Sequence, residues 1–163
     1  MIKIKKHLIE LDGQTRMNRF IHYGCDVYKP REFKEIQNST WFETKPEGGL
    51  WVCPIDSEFS WQMWSSREEV MVYKLDTCFT LQLKCNAKVY IIRDLDSLKD
   101  IVTIDEDKNI RTNYEQLALK YDLVWLTNEG RLNTRQTFPG TFGWDCESLI
   151  ILNKNCFITV KEI

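Results

Sequence analysis

The sequence has little of what marks metalloproteins, secreted proteins and membrane proteins. Only two histidines occur, and none of the six cysteines (Cys25, Cys53, Cys78, Cys85, Cys146 and Cys156) forms a Cys-x-x-Cys pair. Structural zinc sites are built from such pairs and histidines, so no metal is expected. No apolar run approaches the ~20 residues a membrane-spanning helix needs. The opening Met-Ile-Lys-Ile-Lys-Lys-His alternates instead of forming an apolar stretch, so no secretory leader is expected. The cysteines then read as reduced, small apolar core residues of a cytoplasmic protein. A formal net charge of −2 carries no general signal for polyanion binding.

What is present is aromatic. Six Trp, six Tyr and eight Phe would dominate a compact core or line a pocket. A chain of 163 residues is the size of one domain, 1–163, and buries roughly 70 % of its unfolded surface without staples. Residues 1–34 hold eight basic groups (among them Arg16, Arg19 and Arg31) against four acidic ones. That stretch is either a solvated surface or a basic rim beside a phosphate or nucleic acid.

Strand patterns prevail. Residues 2–11 alternate as an edge strand, closed by the turn signal Asp12-Gly13. Strands are also expected at 19–24, 50–53, 70–75, 78–84, 88–93, 123–127, 148–153 and 156–160. Short helices are expected at 30–36 behind Pro30, near Trp61 and Trp64, from Asp96-Ser97 to Val102, and from Asn113 onward. Residues 103–112 read as polar, Asn128-Glu129-Gly130 as a turn, and 130–143 as a long loop with three Gly and one Pro. The sum is an α+β fold of two packed, mostly antiparallel sheets flanked by short helices.

Three segments carry chemistry. In Phe20-Ile21-His22-Tyr23-Gly24 a histidine sits near the end of a strand. Gly48-Gly49-Leu50-Trp51-Val52-Cys53 combines glycines that let backbone approach closely with an aromatic ring. Asp145-Cys146-Glu147 stands before the apolar run Ser148-Leu149-Ile150-Ile151-Leu152, so Glu147 is a carboxylate held at the mouth of a buried strand.

In order and character these segments resemble the ADP-ribosyltransferase family of the histidine–tyrosine–glutamate type, shared by diphtheria-like toxins and poly-ADP-ribose polymerases. Trp51 stands where that family has Tyr, and Tyr23 intervenes between His22 and Gly24. Asp145-Cys146-Glu147 is also similar to the acidic pair of the arginine–serine–glutamate branch, without its serine-threonine-serine motif. The resemblance implies NAD as co-substrate and a macromolecular acceptor, protein or nucleic acid, with no metal. Glu147 would stabilise the oxocarbenium-like charge that develops as the nicotinamide–ribose bond breaks. His22 would fix the ribose, and the backbone at Tyr23 and Gly24 would hold the nicotinamide amide. Trp51 would stack on the ring, Arg19 or Arg31 would meet the pyrophosphate, and Asp145 would face the acceptor. An RNA 2′-phosphotransferase-like enzyme, a non-catalytic nucleotide- or protein-binding module, and a structural or inhibitor protein are the alternatives.

Overall fold

In the computed structural model the protein is described at residues 2–39, 44–68, 75–104, 106 and 109–160. The expected strand at 70–75 lies almost wholly outside them. The chain opens with three short strands, β1 (Ile2–Ile4), β2 (Leu8–Leu11) and β3 (Gln14–Met17), paired in that order as an antiparallel meander. The single edge strand expected over 2–11 is therefore a hairpin. Its alternation continues through Lys5-Lys6-His7, but there the backbone turns, with Lys5 N–H donating to Leu8 O at 2.8 Å. The second turn was legible. Asp12 (φ 50°) and Gly13 (φ 84°) both take the left-handed conformation that a tight hairpin loop requires.

Next come β4 (Phe20–Tyr23), a 3₁₀ turn at Pro30–Glu32, the two-residue strands β5 (Gln37–Asn38) and β6 (Pro46–Glu47), and β7 (Leu50–Pro54). Helix α1 (Trp61–Arg67) is capped by the Ser60 hydroxyl, which accepts from Met63 N–H. Its two tryptophans stack at 5.0 Å, as their three-residue spacing predicts, yet Ser65 is its one buried residue. Then follow β8 (Cys78–Leu83), β9 (Val89–Ile92), α2 (Leu95–Lys99), β10 (Val102–Ile104), β11 (Ile110–Thr112) and α3 (Tyr114–Ala118). Asp94 caps α2 through a box with Ser97, two residues before the cap expected at Asp96, and β10 and β11 pair antiparallel. The chain continues with β12 (Leu123–Leu126), α4 (Asn128–Thr134), β13 (Ser148–Ile151) and β14 (Phe157–Val160).

Helix α4 replaces the expected turn and the start of the expected loop. Thr127 caps it, its hydroxyl accepting from Gly130 N–H at 3.0 Å. Gly130 is not a breaker but a point of close approach. A Cβ there would lie 2.0 Å from Ile92 O of β9.

One seven-stranded sheet organises the molecule, in the order β14-β8-β4-β7-β13-β12-β9. All neighbours are antiparallel except β12 and β9. The three motif strands β4, β7 and β13 lie side by side at its centre. β7 joins two halves: Leu50, Trp51 and Val52 pair with β13, while Cys53 and Pro54 pair with β4. In a flat sheet β4 and β12, three places apart, would be separated by roughly 14 Å. Instead the Phe20 and Trp125 rings meet edge-on at 5.8 Å. The ladder curls until its two halves share one core.

Alternation divides the side chains between two cores. Phe20, Val52, Leu81, Leu123, Trp125, Leu149 and Ile151 face the first, which the meander covers with Ile9 and Leu11. Trp51, Val124, Leu126 and Ile150 face the second, under Leu98 of α2, Tyr114 and Leu117 of α3, and Trp144. Buried Asn18 ties the meander down. Its amide donates to Lys5 O and Leu83 O and accepts from Leu83 N–H, so its polar atoms are all matched. Among the described residues no helix is long and apolar enough to cross a membrane.

Candidate ligand-binding face

Glu147 is 1 % exposed. Its Oε1 accepts from Arg16 Nη1 at 2.5 Å and Trp125 Nε1 at 3.0 Å; its Oε2 accepts from Ser57 Oγ at 2.7 Å and Arg16 Nη2 at 3.3 Å. A carboxylate has about four acceptor positions, and here four donors fill them. Arg16 also pairs with Asp56 at 3.0 Å and lies over the Trp125 ring at 5.3 Å. Burial alone would push the Arg16 guanidinium down, but Glu147 and then Asp56 outweigh it and hold it above its usual range. The knot clamps β3, the segment after β7, β12 and the head of β13 together.

The other motif residues sit around this centre in different ways. His22, half-buried, shares the Phe20 face of β4 and packs against Phe79 at 5.1 Å. Its Nδ1 lies 2.7 Å from Trp51 O. A carbonyl only accepts, so Nδ1 donates to it. The Tyr23 hydroxyl reaches Gln62 at 3.4 Å, and burial pushes it up to about 12. Gly24 ends β4 at φ 108° with N–H bonded to Thr77 O. Arg19 keeps its Nε enclosed with no hydrogen-bond partner among the described residues, and Arg31 is exposed in the 3₁₀ turn. Thus His22 meets the backbone of Trp51, but the Trp51 ring and the Glu147 carboxylate do not share a cleft. Trp51 points into the second core, whereas Glu147 lies against Trp125 in the first.

A second constellation gathers on the Trp51 side. Helix α4 presents Arg131 and Arg135 one turn apart on one face. Arg131 lies over the Phe59 ring at 4.2 Å, its guanidinium steadied by Asn128 Oδ1 at 3.1 and 3.3 Å. Arg135 pairs with Asp145 at 3.2 Å. Lys45 holds its Nζ over the Trp51 ring at 5.6 Å, and Trp51 meets Trp144 edge-on at 4.7 Å. Burial, then repulsion from Arg135 and, more weakly, Arg67 at the end of α1, pull the Arg131 guanidinium down. Burial lowers Lys45 as well, against the attraction of Asp145. Among the described residues Lys45, Arg67 and Arg131 have no carboxylate in ion-pair contact. Lys45 and Arg131, each resting on an aromatic face and without a carboxylate in ion-pair contact among the described residues, suit an anion with a planar group.

Sequence reasoning missed this face because its members come from positions 45, 59, 67, 131 and 135, with no local motif. The one usable signal was Arg131-x-x-x-Arg135, concealed by reading 130–143 as loop. Within the basic stretch 1–34, Lys5 pairs with Glu10 and Lys29 with Glu32, and Arg16 is taken up by Glu147 and Asp56 from outside it. Among the described residues no cluster of three or more His, Cys, Asp or Glu is placed to hold a metal.

Burial also sets the cysteine chemistry. It pushes the thiols of Cys53 and Cys156 up to about 12 and that of Cys146 up to about 11. At pH 8 their thiolate fractions are then about one in a thousand or less. A thiol reagent added to native protein at pH 8 should therefore modify exposed Cys85 first and leave these three until denaturant is added. Rapid native modification of Cys146 would show that the Asp145–Glu147 segment opens.

The chain matches no family model, no curated protein and no solved structure.

Proposed function

We propose that this chain is a nucleotide-binding module, with NAD among its ligands, that holds phosphate on α4 and Lys45 and does not use Glu147 for catalysis. The observation that carries the reading is the pairing of cations with aromatic faces around Trp51, beside a Glu147 whose acceptor positions are filled. A nucleotide offers a planar base and a multiply charged phosphate, which are the two features this face complements. For Trp51 to keep the stacking role that the family resemblance gave it, Lys45 must swing from its half-buried ring to the phosphate. The pyrophosphate role moves from Arg19 or Arg31 to Arg131 and Arg135.

A transferase remains the second reading, favoured by the adjacency of β4, β7 and β13, which carry the three motifs. It requires Glu147 to leave Arg16 and turn toward a bound ribose.

Calorimetric titration with NAD, ADP-ribose and ADP, with nicotinamide release followed in parallel, separates the two. The expected result is binding of all three with no release. Arg131→Ala and Arg135→Ala should each weaken binding about tenfold or more, the size of a lost charge-assisted hydrogen bond. Nicotinamide release that disappears in a folded Glu147→Gln variant would establish the transferase instead. No binding of any of the three would remove both readings.

A further inference from the structure

Beside the cationic face the protein displays two phenyl rings. Phe142 is 81 % exposed and Phe138 62 % exposed. Both belong to a loop braced from within. Thr134 and Thr141 join hydroxyls at 2.9 Å, Thr141 N–H donates to Thr134 O at 3.0 Å, and Thr137 Oγ1 donates to Pro139 O at 2.7 Å. The loop is fixed to the Lys45 side as well. Thr44 Oγ1 donates to Phe142 O at 3.4 Å, and the Thr44 carbonyl is held by Tyr114 Oη at 2.7 Å and Trp144 Nε1 at 2.8 Å. A firmly hydrogen-bonded loop that holds two large apolar rings in water gains nothing for the isolated chain. Such rings have a use if something stacks on them.

Resting on the nucleotide-binding reading above, we infer that the ligand is a single-stranded nucleic acid, its backbone following Lys45, Arg131 and Arg135 and its bases stacking on Phe138 and Phe142. Sequence-tolerant single-strand sites combine these two elements, a basic track and aromatic platforms. The charge is local: the whole chain is at −2, so the polyanion is drawn to this face and not to the surface at large. A mononucleotide would satisfy one phosphate position and leave the loop rings bare. Neighbouring nucleotides cover both. An acidic peptide would meet the cations too, but it offers no flat partner for two phenyl rings.

The experiment measures fluorescence anisotropy of a labelled oligothymidylate of roughly 12 nucleotides, within the ~4–16-nucleotide range of single-strand sites. ADP and an oligoglutamate peptide of the same charge serve as competitors over a salt series. The inference expects the oligonucleotide to bind at least about tenfold tighter than ADP. It expects affinity to fall with salt at a log–log slope of about −2, as three phosphate contacts would give, and Arg131→Ala to remove about 0.7 of that slope. Phe138→Ala/Phe142→Ala alters exposed side chains and should fold as the wild type does by circular dichroism. It should weaken oligonucleotide binding at least about tenfold more than ADP binding. Oligonucleotide binding no tighter than ADP binding would overturn the inference while leaving the nucleotide reading intact. Unchanged oligonucleotide affinity in the double Phe variant would do the same. Equal competition by oligoglutamate would overturn it in favour of an acidic protein partner. Binding of neither ADP nor oligonucleotide would end both.

Discussion

Glu147→Gln should lower the unfolding free energy by about 3–5 kcal/mol, the usual cost of removing one partner from a buried ion pair. The side chain of Glu147 is 2 % exposed and that of Arg16 16 %, so solvent cannot replace the lost charge. The glutamine amide would turn an N–H₂ group toward donors. Arg16, Ser57 or Trp125 would then face a donor where each now meets an acceptor. In a chain of this length that loss corresponds to a fall in Tm of roughly 10 °C. Urea unfolding followed by tryptophan fluorescence measures it directly. A cleft carboxylate held ready for catalysis would behave oppositely, its neutralisation leaving stability unchanged or higher.

Gly130→Ala should destabilise by about 2–3 kcal/mol, although alanine in an exposed helix interior usually stabilises by about 1 kcal/mol relative to glycine. The added Cβ would sit 2.0 Å from Ile92 O, 2.8 Å from Ile92 C and 3.0 Å from Arg93 Cα, all backbone atoms that cannot rotate away. Helix α4 would have to lift from β9, straining the cap at Thr127, whose N–H donates to Ile92 O at 3.2 Å. Because α4 carries Arg131 and Arg135, the variant should also lose nucleotide affinity. A thermal melt at or above the wild-type midpoint would mean that α4 is not seated as described.

The centre of the fold was legible in the sequence. Ser148-Leu149-Ile150-Ile151 and Leu123-Val124-Trp125-Leu126 are apolar on both faces because both faces are covered, by the meander on one side and by helices on the other. The start of the chain was harder to read. Alternation says that a segment is extended, but not where it turns back, and Lys5-Lys6-His7 contains neither Gly nor Pro to mark the turn. Gly130 misled in the other direction: it reads as a breaker unless one knows that a carbonyl of β9 lies where its side chain would be. Glu147 was visible as a positioned carboxylate at a strand mouth. What positions it was not visible, since Arg16 is 131 residues away and no local pattern announces a partner at that separation. The cationic face shares that difficulty. Its charges converge only when α1, α4 and the Lys45 segment fold against the sheet.

Tryptophan indole and arginine Nε signals in a ¹H–¹⁵N spectrum, followed during ADP addition, test the central claim most directly. Trp51 lies under Lys45 on the proposed binding face, and Trp125 reports on Glu147 through its indole N–H. The account predicts that the Trp51, Arg131 and Arg135 signals shift with ADP while Trp125 and Arg16 stay in place. Shifts at Trp125 and Arg16, with Arg131 and Arg135 unmoved, would contradict it and return the ligand to Glu147.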